Sequence, residues 1–116
     1  MKRATLEKDW KRLVAMAKAE GFHLNFHGKQ LLKDFAGMNY EAAQAMGYPE
    51  HDPEEIIIDV SLPLKRRVQN LRHEIVERTI MKDTHCKYWT AHIQALRAEK
   101  APLGEPYKIP GSDVIA

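Results

Sequence analysis

One run of β-branched residues, Glu55-Ile56-Ile57-Ile58-Asp59-Val60, constrains this fold more than any other stretch. Pro53 and Pro63 bound it. Three successive isoleucines leave the run no polar face, so it reads as a strand covered on both sides or lying close to the core. Ser61-Leu62-Pro63 turns the chain, and a helix is expected from Leu64 to Met81. Leu64, Val68, Leu71, Ile75 and Thr79 form one apolar stripe along that helix. At about 100° per residue, His73 and Glu77 then lie roughly 140–180° from the centre of the stripe. Either both occupy a solvated face, or a second helix covers them and makes a polar seam.

That second helix is supplied. After an expected loop from Lys82 to Lys87, Tyr88, Ala91, His92, Ala95, Leu96 and Glu99 fall on one side of a helix ending near Lys100. His92 sits in a face of small and apolar residues, an unusual place for an exposed histidine. Two helices joined by a short loop pack antiparallel as a hairpin, which could carry His92 toward His73 and Glu77.

The N-terminal half reads as scaffold. Leu6, Trp10, Leu13, Val14 and Ala17 recur at helical spacing, with Thr5 as the expected cap and Gly21 as the end. Phe22-His23-Leu24-Asn25-Phe26 alternates as a short half-buried strand, with His23 on the solvated face, and His27-Gly28 turns the chain. Leu31, Leu32 and Phe35 fit a helical turn or a second short strand. Asn39 caps a short helix, Tyr40-Glu41-Ala42-Ala43-Gln44-Ala45-Met46, that Gly47 and Pro49 end. Residues 101–116 hold three prolines and two glycines and read as an extended tail pinned by Tyr107 and Ile109. The expected architecture is therefore a single α+β domain over residues 1–100, a short sheet packed against three or four helices, followed by that tail.

Composition narrows the setting. A chain of 116 residues can bury one modest core. Its net charge of +2 is too small to argue by itself for nucleic acid or an acidic membrane. The single Cys86 excludes an internal disulfide framework and a multi-cysteine zinc knuckle, and fits a reducing cytosol. With no bilayer-length apolar run and a charged N-terminus, the expectation is a soluble, cytoplasmic protein.

The chemistry concentrates in Asn70-Leu71-Arg72-His73-Glu74-Ile75-Val76-Glu77-Arg78. Residues four apart on a helix project to the same side, so His73 and Glu77 could grip one metal ion together with His92. Two histidines and a carboxylate are a standard three-ligand set for catalytic zinc, with the fourth position left for water. Glu74, beside His73, is placed to accept a proton from that water. Glu99 and His85 are reserve ligands.

A β-branched strand, a turn, a His-Glu helix and a following helix with an inward histidine resemble the core of zincin-type metallopeptidases. The likeness is greatest to small gluzincin-like domains in which an edge strand precedes the His-Glu helix. It covers about the second half of the chain. The resemblance implies that His73 is a zinc ligand, Glu74 the catalytic base, and a peptide or protein the substrate. Glu77 stands where the second histidine of the His-Glu-x-x-His motif belongs, which changes the charge of the site. The pattern of His73-Glu74, Glu77, Met81, Tyr88, Ala91-His92 and Ala95 also looks like short archaeal and phage-associated proteins of no assigned activity.

Two non-enzymatic readings compete. In one, a structural or interaction protein buries His73, Glu77 and His92 as a hydrogen-bonded cluster without metal. In the other, Lys65-Arg66-Arg67 and Arg72, with Lys2, Arg3, Lys11 and Arg12, contact phosphates, although no nucleic-acid-binding motif spacing is present. Cys86 lies beside His85, but adjacent residues rarely reach nucleophile–base geometry, and neither an oxyanion-hole motif nor a glycine-rich phosphate loop is visible.

Overall fold

The computed structural model describes residues 2–27, 37–38 and 54–116. Helix α1 runs Arg3–Ala19, and Leu6, Leu13 and Ala17 face the core. Its N-cap is Lys2, with no side-chain capping bond, so Thr5 lies inside the first turn instead of capping it. Gly21 ends the helix at φ 89°. Its N–H donates to the Lys18 carbonyl at 3.0 Å while the Phe22 N–H reaches back to Ala17 at 2.9 Å. That pair of bonds is the Schellman closure, and the buried Phe22 and Ala17 supply its apolar contact.

The chain leaves this cap as strand β1, His23–His27, one residue later than the alternation suggests. Phe22 is buried, whereas Phe26 is exposed and leans on Trp10 with ring centroids 5.9 Å apart. His23 is exposed, as expected. Strand β2 is Gly37–Met38 and strand β3 is Glu55–Asp59. The sheet order is β1-β3-β2. β1 runs parallel to β3 with His23 opposite Glu55, and β2 pairs antiparallel on the other side. The isoleucine run is therefore central among the described strands. Ile56 and Ile58 are fully buried, and Ile57, on the other face, is 7% exposed. The segment at Leu31–Phe35 and the helix expected at Tyr40–Met46 lie outside the described residues.

Helix α2, Leu64–Thr84, continues three residues past the expected Met81. His85 closes it in the left-handed region at φ 55°, its N–H bonded to the Met81 carbonyl at 2.9 Å. Only residues 85–87 separate it from helix α3, Tyr88–Lys100. α2 packs on α1 and β3 and also on α3, and every residue from Asn70 to Ile80 is buried. This overturns the solvated-face reading of His73 and Glu77. A helix walled on all sides buries its polar stripe with its apolar one.

Residues 101–116 are held at Tyr107 and Ile109, as expected, and at further points besides. Tyr107 and Ala116 exchange two backbone hydrogen bonds of 2.7 Å, and Lys108 bridges Ile115 antiparallel. Leu103, Ile109 and Ala116 join the core. Arg72, fully buried, donates to the carbonyls of Pro102 at 3.2 Å and Glu105 at 2.7 Å. Asp9 accepts the Gly104 N–H at 2.5 Å. The segment is thus tied to both α1 and α2. Among the described residues, no helix is long and apolar enough to cross a membrane.

Candidate metal centre

The antiparallel α2–α3 pair owes its close approach to small residues. Ala91, Ala95 and Ala98 of α3 are fully buried, so nothing bulky separates the two helix backbones. His92, one residue from Ala91, is carried onto Glu77, whose Oε2 lies 2.7 Å from His92 Nδ1. The same carboxylate oxygen is 3.1 Å from His73 Nε2, one helical turn away on α2. Tyr88, one turn before His92, places its hydroxyl 3.1 Å from His92 Nδ1 and stacks on its ring. Trp89 meets the His92 ring edge-on at 5.7 Å.

His73, Glu77 and His92 each offer one ligand atom, and these atoms lie within 4.8 Å of one another. Glu77 is 1% exposed, while the His92 side chain retains 26%, so solvent reaches the cluster at His92 and not at Glu77. Glu74 is buried beside it, with Oε2 3.9 Å from His73 Nε2 and Oε1 without a hydrogen-bond partner. Glu99 approaches the opposite edge of the His73 ring, 3.6 Å from Nδ1. His85 and Cys86 are not part of the cluster among the described residues.

Burial dominates the electrostatics. It pushes the Glu74 carboxyl up to about 8, with Glu77 and Glu99 adding to the rise and His73 and Arg78 opposing it. Burial likewise lifts Glu77 to about 7, against the hydrogen bond and charge of His92 and the charge of Arg78. The Tyr88 phenol is raised by burial and then by Glu77 and Glu74, which keeps its proton in place. Arg78 is the balancing cation of the seam, and it also donates to the Glu55 carbonyl of β3. This side chain links the sheet to the cluster.

The donor set fits a divalent transition metal. Tetrahedral zinc with nitrogen and oxygen donors at about 2.0–2.2 Å holds those donors roughly 3.3 Å apart. The contacts of 3.1 and 2.7 Å around Glu77 Oε2 are a few tenths of an ångström short of that spacing. The third pair, between the two histidine nitrogens, lies within the 4.8 Å that encloses the cluster.

His73, Glu77, His92 and Glu74, the site residues expected from the sequence, lie together. Tyr88 was not expected as a contact of His92, although the four-residue spacing on α3 is a usable signal. Neither Arg78 as the counter-charge nor Arg72 as a buried anchor was expected. Burial removes Arg72 from the basic surface expected to meet phosphates, and Arg67 donates to the Leu62 carbonyl and covers the Trp10 ring at 5.4 Å.

Compared with known proteins, the chain matches no family model, no curated protein and no solved structure. The zincin resemblance therefore rests on the residues of the second half of the chain. One feature departs from it: the strand before the His-Glu helix is flanked on both sides here, where the resemblance describes an edge strand.

Proposed function

We propose that this chain binds one divalent metal ion, zinc as the best match, through His73 Nε2, the Glu77 carboxylate and His92 Nδ1, and acts as a metal-dependent hydrolase of zincin character. The observation that supports it is the meeting of three donor atoms, from two helices, within 4.8 Å in a largely buried seam. Zinc in a three-ligand site supplies Lewis acidity and makes water nucleophilic near neutral pH. Glu74 is the base in this reading. Burial raises this carboxyl to about 8 in the metal-free seam, so it holds its proton at neutral pH there, and a bound cation would lower that value and free the carboxylate to accept a proton. Tyr88 keeps its proton and lies 3.1 Å from His92 Nδ1 in the metal-free seam, which leaves its hydroxyl as a neighbouring donor once that nitrogen is occupied by a cation. A peptide or protein is the proposed substrate, and a reducing cytosol the compartment that a lone Cys86 fits.

A second reading is favoured by one observation: His73, Glu77, His92 and Tyr88 already form a continuous chain of contacts between 2.7 and 3.1 Å. Such a seam is stable without metal and suits a structural protein. Calorimetric titration of chelator-treated protein with zinc separates the two. One equivalent bound, with binding lost in His73→Ala and His92→Ala, supports the metal site. Loss of peptide hydrolysis in Glu74→Gln with zinc retained supports the hydrolase. Absence of binding by any divalent transition metal leaves the hydrogen-bonded seam.

A further inference from the structure

We infer that Glu99 is a positioning residue and not a ligand: it holds the proton of His73 on Nδ1, leaving Nε2 free to face Glu77. The inference deepens the metal reading and rests on it for its consequence, but not for its geometry. His73 presents its two ring nitrogens to different carboxylates. Nε2 looks into the cluster, 3.1 Å from Glu77 and 3.9 Å from Glu74. Nδ1 looks out of it, buried and without a hydrogen-bond partner, with Glu99 Oε1 3.6 Å away.

A buried ring nitrogen with no partner is costly, and Glu99 Oε1 is the group within reach of it. The Glu99 side chain is 22% exposed, so its carboxylate has room to rotate by the few tenths of an ångström that make a hydrogen bond. An ionised carboxylate only accepts, so the bond requires a proton on Nδ1. That proton fixes the tautomer, so that Nε2 accepts from a protonated Glu77 carboxyl across 3.1 Å in the metal-free seam and offers the same lone pair to a cation that replaces this proton. Glu99 lies on the far side of the imidazole from Nε2. One rigid ring therefore separates it from the position that Nε2, Glu77 and His92 share. A carboxylate behind a ligating histidine orients the ring and raises its basicity, and its loss typically weakens metal binding by about 10–100-fold.

The experiment compares wild type with Glu99→Ala and Glu99→Gln. Long-range proton–nitrogen NMR of the zinc-free protein reads the His73 tautomer, and competition with a chromophoric chelator reads zinc affinity. Cobalt(II) absorption reads the ligand set. The expected result is the Nδ1–H tautomer in wild type, a mixed population in Glu99→Ala and recovery in Glu99→Gln, whose amide oxygen still accepts. Zinc affinity falls about 10–100-fold in Glu99→Ala, with an unchanged cobalt spectrum and one equivalent bound. An unchanged tautomer in Glu99→Ala overturns the inference, as does a cobalt spectrum showing a lost ligand. If wild type binds no metal while the tautomer still depends on Glu99, the positioning role stands and the metal reading fails.

Discussion

His92 Nδ1 and Glu77 Oε2 stand 2.7 Å apart although fifteen residues separate them in the chain. This contact joins α2 to α3 through polar atoms at a point where almost everything else on α3's inner face is alanine. A nearly buried carboxylate and a histidine in such contact are each other's main solvation. Truncating either one leaves the other short of a partner.

Substitution of His92 or Glu77 by alanine in zinc-free protein should cost about 1–3 kcal/mol each. The double variant should cost less than the sum, with a coupling of about 0.5–3 kcal/mol in a urea-denaturation cycle. Additive losses would show that the pair contributes nothing jointly.

Acidity should affect the metal-free and zinc-loaded protein in opposite directions. Glu74 and Glu77 are raised from 4.5 to about 8 and about 7, so the folded chain binds more protons than the unfolded one across that interval. Their contribution to stability is therefore fully present below about pH 4.5 and is lost as pH rises through 7 and 8. Metal ligation needs the deprotonated carboxylate, so zinc affinity should rise over the same range. Thermal unfolding at pH 5, 6.5 and 8, with and without zinc, checks both slopes. A metal-free melting temperature that climbs over this range would contradict the assignment.

Arg72 should act as a latch for residues 101–116. Replacing it with Met keeps much of the volume but leaves the Pro102 and Glu105 carbonyls without their charged donor. The expected loss is about 3 kcal/mol or more. Hydrogen exchange should report the opening at the Tyr107 and Ala116 amides, which are bonded to each other across the segment. Retained protection at both amides would mean that the segment closes without Arg72.

Gly21 offers a test of backbone preference alone. It sits at φ 89° with nothing within 4 Å of where a Cβ would stand. Gly21→Ala therefore meets no clash with its surroundings, and should cost about 1–2 kcal/mol from the left-handed conformation. Gly21→Asn should cost less, because asparagine tolerates that region better. Equal losses, measured by chemical denaturation, would point to packing instead.

The elements carrying the candidate site were legible because each has its own short-range pattern. The isoleucine run announced β3, and the spacing of Leu64, Val68, Leu71 and Ile75 announced α2. Ala91 and Ala95 beside His92 pointed to a covered face, and the burial of residues 70–80 decides between the two readings of His73 and Glu77. What stayed hidden depends on contacts remote in sequence. Arg72 looks like any helical surface arginine until the carbonyls of residues 102 and 105 close on it. Residues 101–116 lack periodicity because Asp9, Arg72 and a few backbone pairs order them, not a repeating side-chain pattern. The division of labour between the two nitrogens of His73 needed ring orientation, which no spacing rule supplies.

The edge-on contact between Trp89 and His92 gives the protein its own optical gauge. The chain has two tryptophans, and Trp10 is engaged with Phe26 and Arg67 on α1. Trp89 is 64% exposed and meets the imidazole at 5.7 Å. Emission that changes when a cation loads, and stays silent in Trp89→Phe, would follow occupancy in real time without any added label.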